Sequence, residues 1–229
     1  MNDKASIVEL AQALADPLRL SILQQLMQGP ATVSELMSLT GEAQSKVSNH
    51  LALLRERNLV QATRDRRQII YSLRNESVGQ LVESLSLVAG AVPPSHWKSP
   101  QLVAARTCYD HLAGRYGVAL FDALVKQQAI LAPQEQRGAI ELGSQGEEVF
   151  GKLGLDLKML RHQRRRFAFA CPDWTERLPH LGGALGAALW GQLVARGWLV
   201  KQQGERALIV TDIGKQQFYK HFGIQIDER

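Results

Sequence analysis

Residues 111–125, HLAGRYGVALFDALV, recur as residues 180–194, HLGGALGAALWGQLV, with eight of the fifteen positions identical. The correspondence continues downstream. Ala139–Leu142 matches Ala207–Val210, and Gly146, Phe150 and Lys152 fall in step with Gly214, Phe218 and Lys220. Upstream, Cys108-x-Asp110 matches Cys171-x-Asp173, so the two cysteines of the chain take equivalent places in two copies. A repeat constrains the fold strongly, because a half-unit that buries little by itself must bury its apolar face on its twin. The expectation is two copies, about 97–160 and 165–229, each in the order helix, short strand pair, helix. Glycines three apart, Gly114/Gly117 and Gly183/Gly186, leave one helix face bare. That would let the two helices approach closely about a pseudo-twofold axis.

The first part of the chain is set off by Gly90-Ala91-Val92-Pro93-Pro94-Ser95. A helix cannot continue through it, since each proline lacks an N–H and clashes with the turn before it. Residues 1–92 then form one domain and residues 97–229 another. The formal charge of +5 belongs wholly to the second part, because residues 1–92 carry nine basic and nine acidic side chains. With 21% charged and 45% apolar residues, a disordered chain is excluded, and two cysteines do not make a disulfide scaffold. Met1 to Lys4 is polar, with no signal-type apolar run after it. The longest uncharged stretch, Leu178 to Ala195, holds Pro179, His180, Gln192 and four glycines, which argues against a membrane span. The expected setting is cytoplasmic and reducing, where free thiols are ordinary.

Apolar spacing predicts helices over Ile7–Leu14 and from Pro17 through Leu26, the second capped by Asp16. Thr32 with Glu35 reads as a capping box for a short helix that stops at Gly41. A fourth helix runs from about Ala43 to Arg57, with Val47, Leu51 and Leu54 inward and Asn58 closing it. Leu59–Thr63 and Gln68–Leu73 alternate as strands around the turn Arg64-Asp65-Arg66-Arg67. A last helix spans about Glu76 to Ala89. Helix, helix, helix–turn–helix, hairpin, helix is a winged helix–turn–helix. The overall class is mainly α with small β-hairpins (α+β), and each C-terminal copy is expected to be winged-helix-like as well.

At this point a resemblance becomes specific. Ala15-Asp16-Pro17-Leu18-Arg19-Leu20-Ser21-Ile22-Leu23 and Gln44-Ser45-Lys46-Val47-Ser48-Asn49-His50-Leu51-Ala52-Leu53-Leu54-Arg55 resemble the signature segments of the arsenical-resistance repressor (ArsR) family. The match covers about residues 5–88. It implies a homodimeric repressor on double-stranded operator DNA, paired through its first and last helices and released by an effector. With Val47 inward, successive turns of ~100° point Ser45, Ser48 and Asn49 outward, flanked by Gln44, Lys46 and His50. Amide and hydroxyl side chains suit base edges in the major groove. Arg64, Arg66 and Arg67 would grip phosphate or enter the minor groove. Two positions depart from the family: Asn49 replaces a usual histidine, and Ala43 a usual serine cap.

Members of the family often bind metal through cysteines on the third helix or through Asp and His on the last. Glu35-Leu36-Met37-Ser38-Leu39 has no cysteine, and Val78–Val88 offers only Glu83. A sensor would therefore lie in the second half. There the segments Arg-x-Cys-Tyr-Asp-His, Cys-x-Asp-Trp-Thr-Glu-Arg and His-Leu-x-Gly resemble longer members of the family, without implying a ligand. Cys108 and His111, three apart on one expected helix face, could join Cys171 and His180 as a Cys₂His₂ set for zinc or another thiophilic metal. The two thiols could instead answer an oxidant or electrophile, with nearby arginines lowering their pKa. A third reading is a small-molecule effector in a cleft lined by Cys108, Tyr109, Asp110, His111, Cys171, Asp173, Trp174 and His180. The fourth is a plain core of small thiols and satisfied histidines. The tract Lys158–Arg166, placed on a helix starting near Asp156, would contact phosphate or pair with Glu147 and Glu148. An enzyme is not expected: Gly182-Gly183-Ala184-Leu185-Gly186 follows no expected strand and has the wrong spacing for a nucleotide loop. No Ser–His or Cys–His pair sits in a nucleophile-elbow context.

Overall fold

A computed structural model describes residues 3–90, 100–135, 138–201 and 206–226 of the 229-residue chain. Two compact units divide at Trp97/Lys98. The proline pair at 93–94 lies outside the described residues.

The first unit runs α1 (Asp3–Leu14), α2 (Pro17–Leu26), β1 (Ala31–Thr32), α3 (Val33–Thr40), α4 (Gln44–Glu56), β2 (Val60–Asp65), β3 (Gln68–Leu73), α5 (Glu76–Val88). The strands form one antiparallel sheet in the order β1-β3-β2. Asp65 pairs with Gln68, so the turn contracts to Arg66-Arg67, with Arg66 at φ 52°. Arg64 and Asp65 belong to the strand rather than the turn, a shift from the sequence expectation. Leu18, Ile22, Leu23 and Leu26 of α2 meet Leu36, Val47, Leu51, Leu54 and Val82 as the buried core. Ile7 and Val8 of α1, and Leu85 and Val88 of α5, stay exposed.

The helix starts follow local chemistry. Asp16 accepts the Arg19 amide at 2.9 Å. In the capping box, the Thr32 amide donates to Glu35 at 2.7 Å and the Glu35 amide donates back to Thr32 Oγ1 at 3.3 Å. Only α4 starts bare, because Ala43 offers no side-chain acceptor. Neither neighbour substitutes. Thr40 donates its hydroxyl back to the Leu36 carbonyl at 2.7 Å, and Glu42 pairs with Lys46 at 2.6 Å. Ala43→Ser is therefore expected to stabilise the first unit by about 1 kcal/mol. Chemical denaturation followed by circular dichroism checks this, and an unmoved midpoint would count against it.

The second unit runs α6 (Pro100–Ala104), β4 (Arg106–Cys108), β5 (His111–Ala113), α7 (Gly114–Lys126), α8 (Gly146–Lys152), α9 (Leu157–Arg161), β6 (Phe169–Pro172), β7 (Pro179–Gly182), α10 (Gly183–Ala195), β8 (Leu199–Lys201), β9 (Leu208–Val210), α11 (Asp212–Phe222). Three antiparallel hairpins, β4-β5, β6-β7 and β8-β9, accompany the helices. The core joins Leu120, Leu124 and Phe150 to Leu185, Leu189, Leu193 and Phe218.

Several expectations change here. Cys108 and His111 do not share a helix face; they sit opposite each other on β4 and β5. Tyr109 and Asp110 make the turn, with Tyr109 at φ 63°. A hairpin likewise precedes α10, so the glycine run does follow a strand. That strand belongs to a hairpin, and the G-G-x-x-G spacing still departs from a nucleotide loop. The sequence suggests Asp212 as the cap of the last helix, but Thr211 caps α11, accepting the Gly214 amide at 2.9 Å. The α9 helix ends at Arg161, so Arg164, Arg165 and Arg166 lie beyond it. Gln202-Gln203-Gly204, which reads as a turn in the sequence, falls outside the described residues.

The glycines admit hairpins rather than a bare facing helix. A Cβ on Gly117 would lie 2.6 Å from the Leu112 carbonyl oxygen and 3.5 Å from His180 Cβ. One on Gly186 would lie 2.1 Å from the Leu181 carbonyl oxygen and 3.3 Å from His111 Cβ. Isolated bridges tie Arg106 to Ala207 and Ala139 to Phe169. Among the described residues, no helix is long and apolar enough to cross a membrane.

Candidate functional site

In the first unit, α4 presents Gln44, Ser45, Lys46 and Asn49 as exposed residues around buried Val47. Ser48 and His50 are half-buried. His50 turns Nδ1 toward Asp16, 3.6 Å away, so its ring is tied to the cap of α2. Lys46 is engaged by Glu42. Arg64, Arg66 and Arg67 are all exposed at the hairpin tip. A short polar helix face thus stands beside a cationic hairpin on one formally neutral unit.

The second unit gathers its chemistry at the centre. Register pairs Cys108 with His111 across β4-β5, and Cys171 with His180 across β6-β7. Sequence spacings of three and nine therefore become the same relation, a cross-strand pair. The β5 and β7 strands then bring the two pairs together. One ligand atom from each of Cys108, His111, Cys171 and His180 lies within 4.8 Å of all the others. His111 is 3% exposed and His180 1%. Their rings stand 5.0 Å apart, tilted by 32°. Neither cysteine is in a disulfide; Cys108 is buried and Cys171 partly so. Nε2 of each histidine is buried and makes no hydrogen bond.

Each imidazole faces a carboxylate, and each carboxylate faces an arginine. His111 Nδ1 lies 3.3 Å from Asp110, which accepts two hydrogen bonds from the Arg165 guanidinium. His180 Nδ1 lies 3.5 Å from Asp173, which accepts Arg106 Nη2 at 2.6 Å. Asp173 also takes amide bonds from Gly114 at 2.8 Å, Thr175 at 2.9 Å and Glu176 at 3.1 Å, and the Thr175 hydroxyl at 2.8 Å. Burial alone would raise both carboxyl pKa values. For Asp110, hydrogen bonds from His111 and Arg165 overcome it; for Asp173, Arg106 does so chiefly. Both are held well below the carboxylate range. Burial likewise pulls His111 down, yet Asp110 and the Cys108 thiol outweigh it and raise its pKa to about 9.

The remaining candidates fall outside this cluster. Tyr109 sits half-exposed on the hairpin turn, and Trp174 packs beneath the Arg106 guanidinium, 5.3 Å from its ring centre. A 510 Å³ groove along α7, lined by Val118, Phe121, Pro133 and Leu178 among others, includes none of the eight candidate effector residues. The arginine tract is exposed but partly engaged within the unit. Arg165 serves Asp110, Arg161 covers Phe167 and Arg166 covers Phe169, while Glu148 pairs with Lys152. The roles of Arg106 and Arg165 were not foreseen from the sequence. The repeated Cys-x-Asp triplet was the available signal, since a buried repeated aspartate demands a cation.

Residues 16–62 match the family model described as "Bacterial regulatory protein, arsR family". The chain is 36% identical over 228 residues to the uncharacterized HTH-type transcriptional regulator YdfF of Bacillus subtilis strain 168, covering 96% of this chain and 99% of that protein. It is 44% identical over 79 residues to the HTH-type transcriptional regulator NmtR of Mycobacterium tuberculosis H37Rv, covering 34% of this chain and 66% of that one. The crystal structure of NolR from Sinorhizobium fredii aligns with 36% identity and a TM-score of 0.37, covering 39% of this chain and 90% of that one. The full-length likeness to one regulator and the matched helix–turn–helix segment agree with the exposed polar face of α4: the chain belongs to the arsR family of DNA-binding bacterial transcriptional regulators.

Proposed function

We propose that the chain is a homodimeric repressor whose hold on double-stranded operator DNA is set by an effector bound in the second unit. The observation that carries the effector half of this reading is the cluster of Cys108, His111, Cys171 and His180, which bring one ligand atom each within 4.8 Å of one another. The DNA half rests on Gln44, Ser45, Ser48 and Asn49 reading base edges from α4, with Lys46 and His50 at its flanks. The wing arginines Arg64, Arg66 and Arg67 hold phosphate. Exposed Ile7 and Val8 of α1 and Leu85 and Val88 of α5 supply the apolar surface for pairing protomers.

The second unit reads as an internal duplication about a pseudo-twofold axis. Reciprocity supports this. Arg106 and Phe169 are equivalent positions of the two copies, as are Ala139 and Ala207, and each upstream strand bridges the other copy's later segment. His111 and His180, each against the other copy's glycine, would flank that axis.

Footprinting of the full-length protein on DNA upstream of its own gene tests the reading. Protection of a defined inverted repeat is expected, and uniform coating would count against it. Replacing Arg64, Arg66 and Arg67 with alanine should weaken binding about equally across sequences. The slope of log K against log salt should become shallower by about 0.9 for each phosphate that is no longer neutralised. An unchanged slope removes the wing from the interface.

A further inference from the structure

We infer that Cys108, His111, Cys171 and His180 form a four-coordinate site for one divalent, thiophilic metal ion of the zinc class, placed on the axis between the two hairpin–helix halves of the second unit. This names the effector centre of the regulator reading above and rests on it only for the claim that occupancy changes DNA affinity.

Four arguments carry the site. First, the donor set is complete. Two thiols and two imidazoles are the ligands of a closed tetrahedral zinc site, whose edges are roughly 3.3–3.8 Å for ordinary metal–ligand bonds. Mutual distances within 4.8 Å need a contraction of about 1.5 Å at most to reach it. Second, buried ring nitrogens are left over. His111 turns Nδ1 toward Asp110, His180 Nδ1 stands 3.5 Å from Asp173 without a hydrogen bond, and Nε2 of both rings is buried without one. A carboxylate behind a ligating imidazole fixes its tautomer and makes the ring a better donor. Third, the charge count selects the cation. The carboxylates of Asp110 and Asp173 are each answered by an arginine, Arg165 and Arg106. The two thiolates are then left to balance a divalent ion, and a buried site tolerates little net charge. Soft sulfur donors also disfavour magnesium and calcium, which take oxygen. Fourth, the ligands come equally from both hairpins. Binding would clamp β4-β5 to β6-β7, which is how a local ion can act on the geometry of the whole unit.

The exchange is simple. The two thiols and the His111 imidazolium give up their protons to solvent as two metal–sulfur and two metal–nitrogen bonds form, so that both imidazoles bind as neutral ligands. No oxidant or reductant enters.

The test uses the full chain, purified without a polyhistidine tag, stripped with a chelator, kept reduced and titrated with Co²⁺ as an optical probe. One equivalent per chain is expected, with intense visible bands of tetrahedral cobalt, a thiolate charge-transfer band in the near ultraviolet, and displacement of both by Zn²⁺. Both thiols should become protected from a thiol reagent. Cys171→Ser should lose part of the charge-transfer band and weaken binding by roughly 100-fold or more. Asp110→Asn should keep the tetrahedral bands and weaken binding about 10–100-fold, as a positioning residue does. A folded wild type that takes up no cobalt overturns the site, as do a pale octahedral spectrum and uptake unchanged in Cys171→Ser. Protein that takes up no cobalt when reduced, yet closes its two thiols to a disulfide when a mild oxidant such as diamide is added, also overturns it, in favour of a redox switch. Operator affinity with and without Zn²⁺ separates the two readings. A change of tenfold or more supports gating. Unchanged affinity with intact cobalt bands overturns the gating while leaving the metal site in place.

Discussion

Asp173→Ala is expected to destabilise the second unit by about 3–5 kcal/mol, the cost of stranding a buried charge. Asp173 is 0% exposed and Arg106 1%, so water does not screen their pair. The carboxylate also terminates amides from Gly114, Thr175 and Glu176, which start α7 and shape the β6-β7 hairpin loop. Removing it leaves the Arg106 guanidinium without its counter-charge and three amides without their acceptor. The double variant Arg106→Met/Asp173→Ala separates these losses. It relieves the stranded charge but not the amides, so it should recover at least about 2 kcal/mol of the single-variant loss. Three of the four tryptophans, Trp174, Trp190 and Trp198, lie in the second unit, so denaturation followed by tryptophan fluorescence, with Trp97 replaced by phenylalanine, reads that unit. A loss under 1 kcal/mol for the single variant, or no recovery in the double, would show that the pair is not the hub its geometry describes. Acid gives a second readout. Both Asp110 and Asp173 have depressed pKa values in the folded chain. Their contribution is therefore complete above the ordinary carboxylate value, about 3.9, and is lost as pH falls through their folded values.

The first unit was legible because its signals are local. Asp16 before Pro17, Thr32 with Glu35, and Gly41 each act within one helical turn, and each appears where the sequence placed it. The arginine turn was read two residues too wide, because strand length depends on pairing with β3 rather than on the turn residues alone. The second unit hid two of its hairpins, β4-β5 and β6-β7, for a related reason. Strands of three or four residues carry too little alternation to register as a period. Cys108-x-x-His111 fits a helix face as well as a two-residue turn, and only the partner strand decides between them. What survived was the identity of the four side chains, because the repeat marked them as equivalent without saying what held them. Arg106 and Arg165 were read as neighbours of the thiols rather than as counter-ions, because their partners, Asp173 and Asp110, lie 67 and 55 residues away.

Gly186→Ala is expected to disrupt the centre of the second unit, while Gly191→Ala in the same helix should stabilise it. The contrast isolates packing from helix propensity, since both changes place alanine inside α10. At Gly191 a Cβ meets nothing within 4 Å, and alanine should gain about 0.5–1 kcal/mol by favouring helix. At Gly186 the added carbon would lie 2.1 Å from the Leu181 carbonyl oxygen and 3.3 Å from His111 Cβ. A backbone oxygen cannot rotate away as a side chain does, so α10 must lift from β7. Overpacking costs of about 1–3 kcal/mol are a floor here, because lifting α10 also pulls Leu185 and Leu189 away from the core. The same displacement separates His180 from His111, so Gly186→Ala should lose cobalt affinity even where circular dichroism shows the helices retained. Gly191→Ala should bind cobalt as the wild type does. If Gly186→Ala unfolds at the wild-type midpoint and binds cobalt unchanged, the glycine is not what seats one hairpin's histidine against the opposing helix.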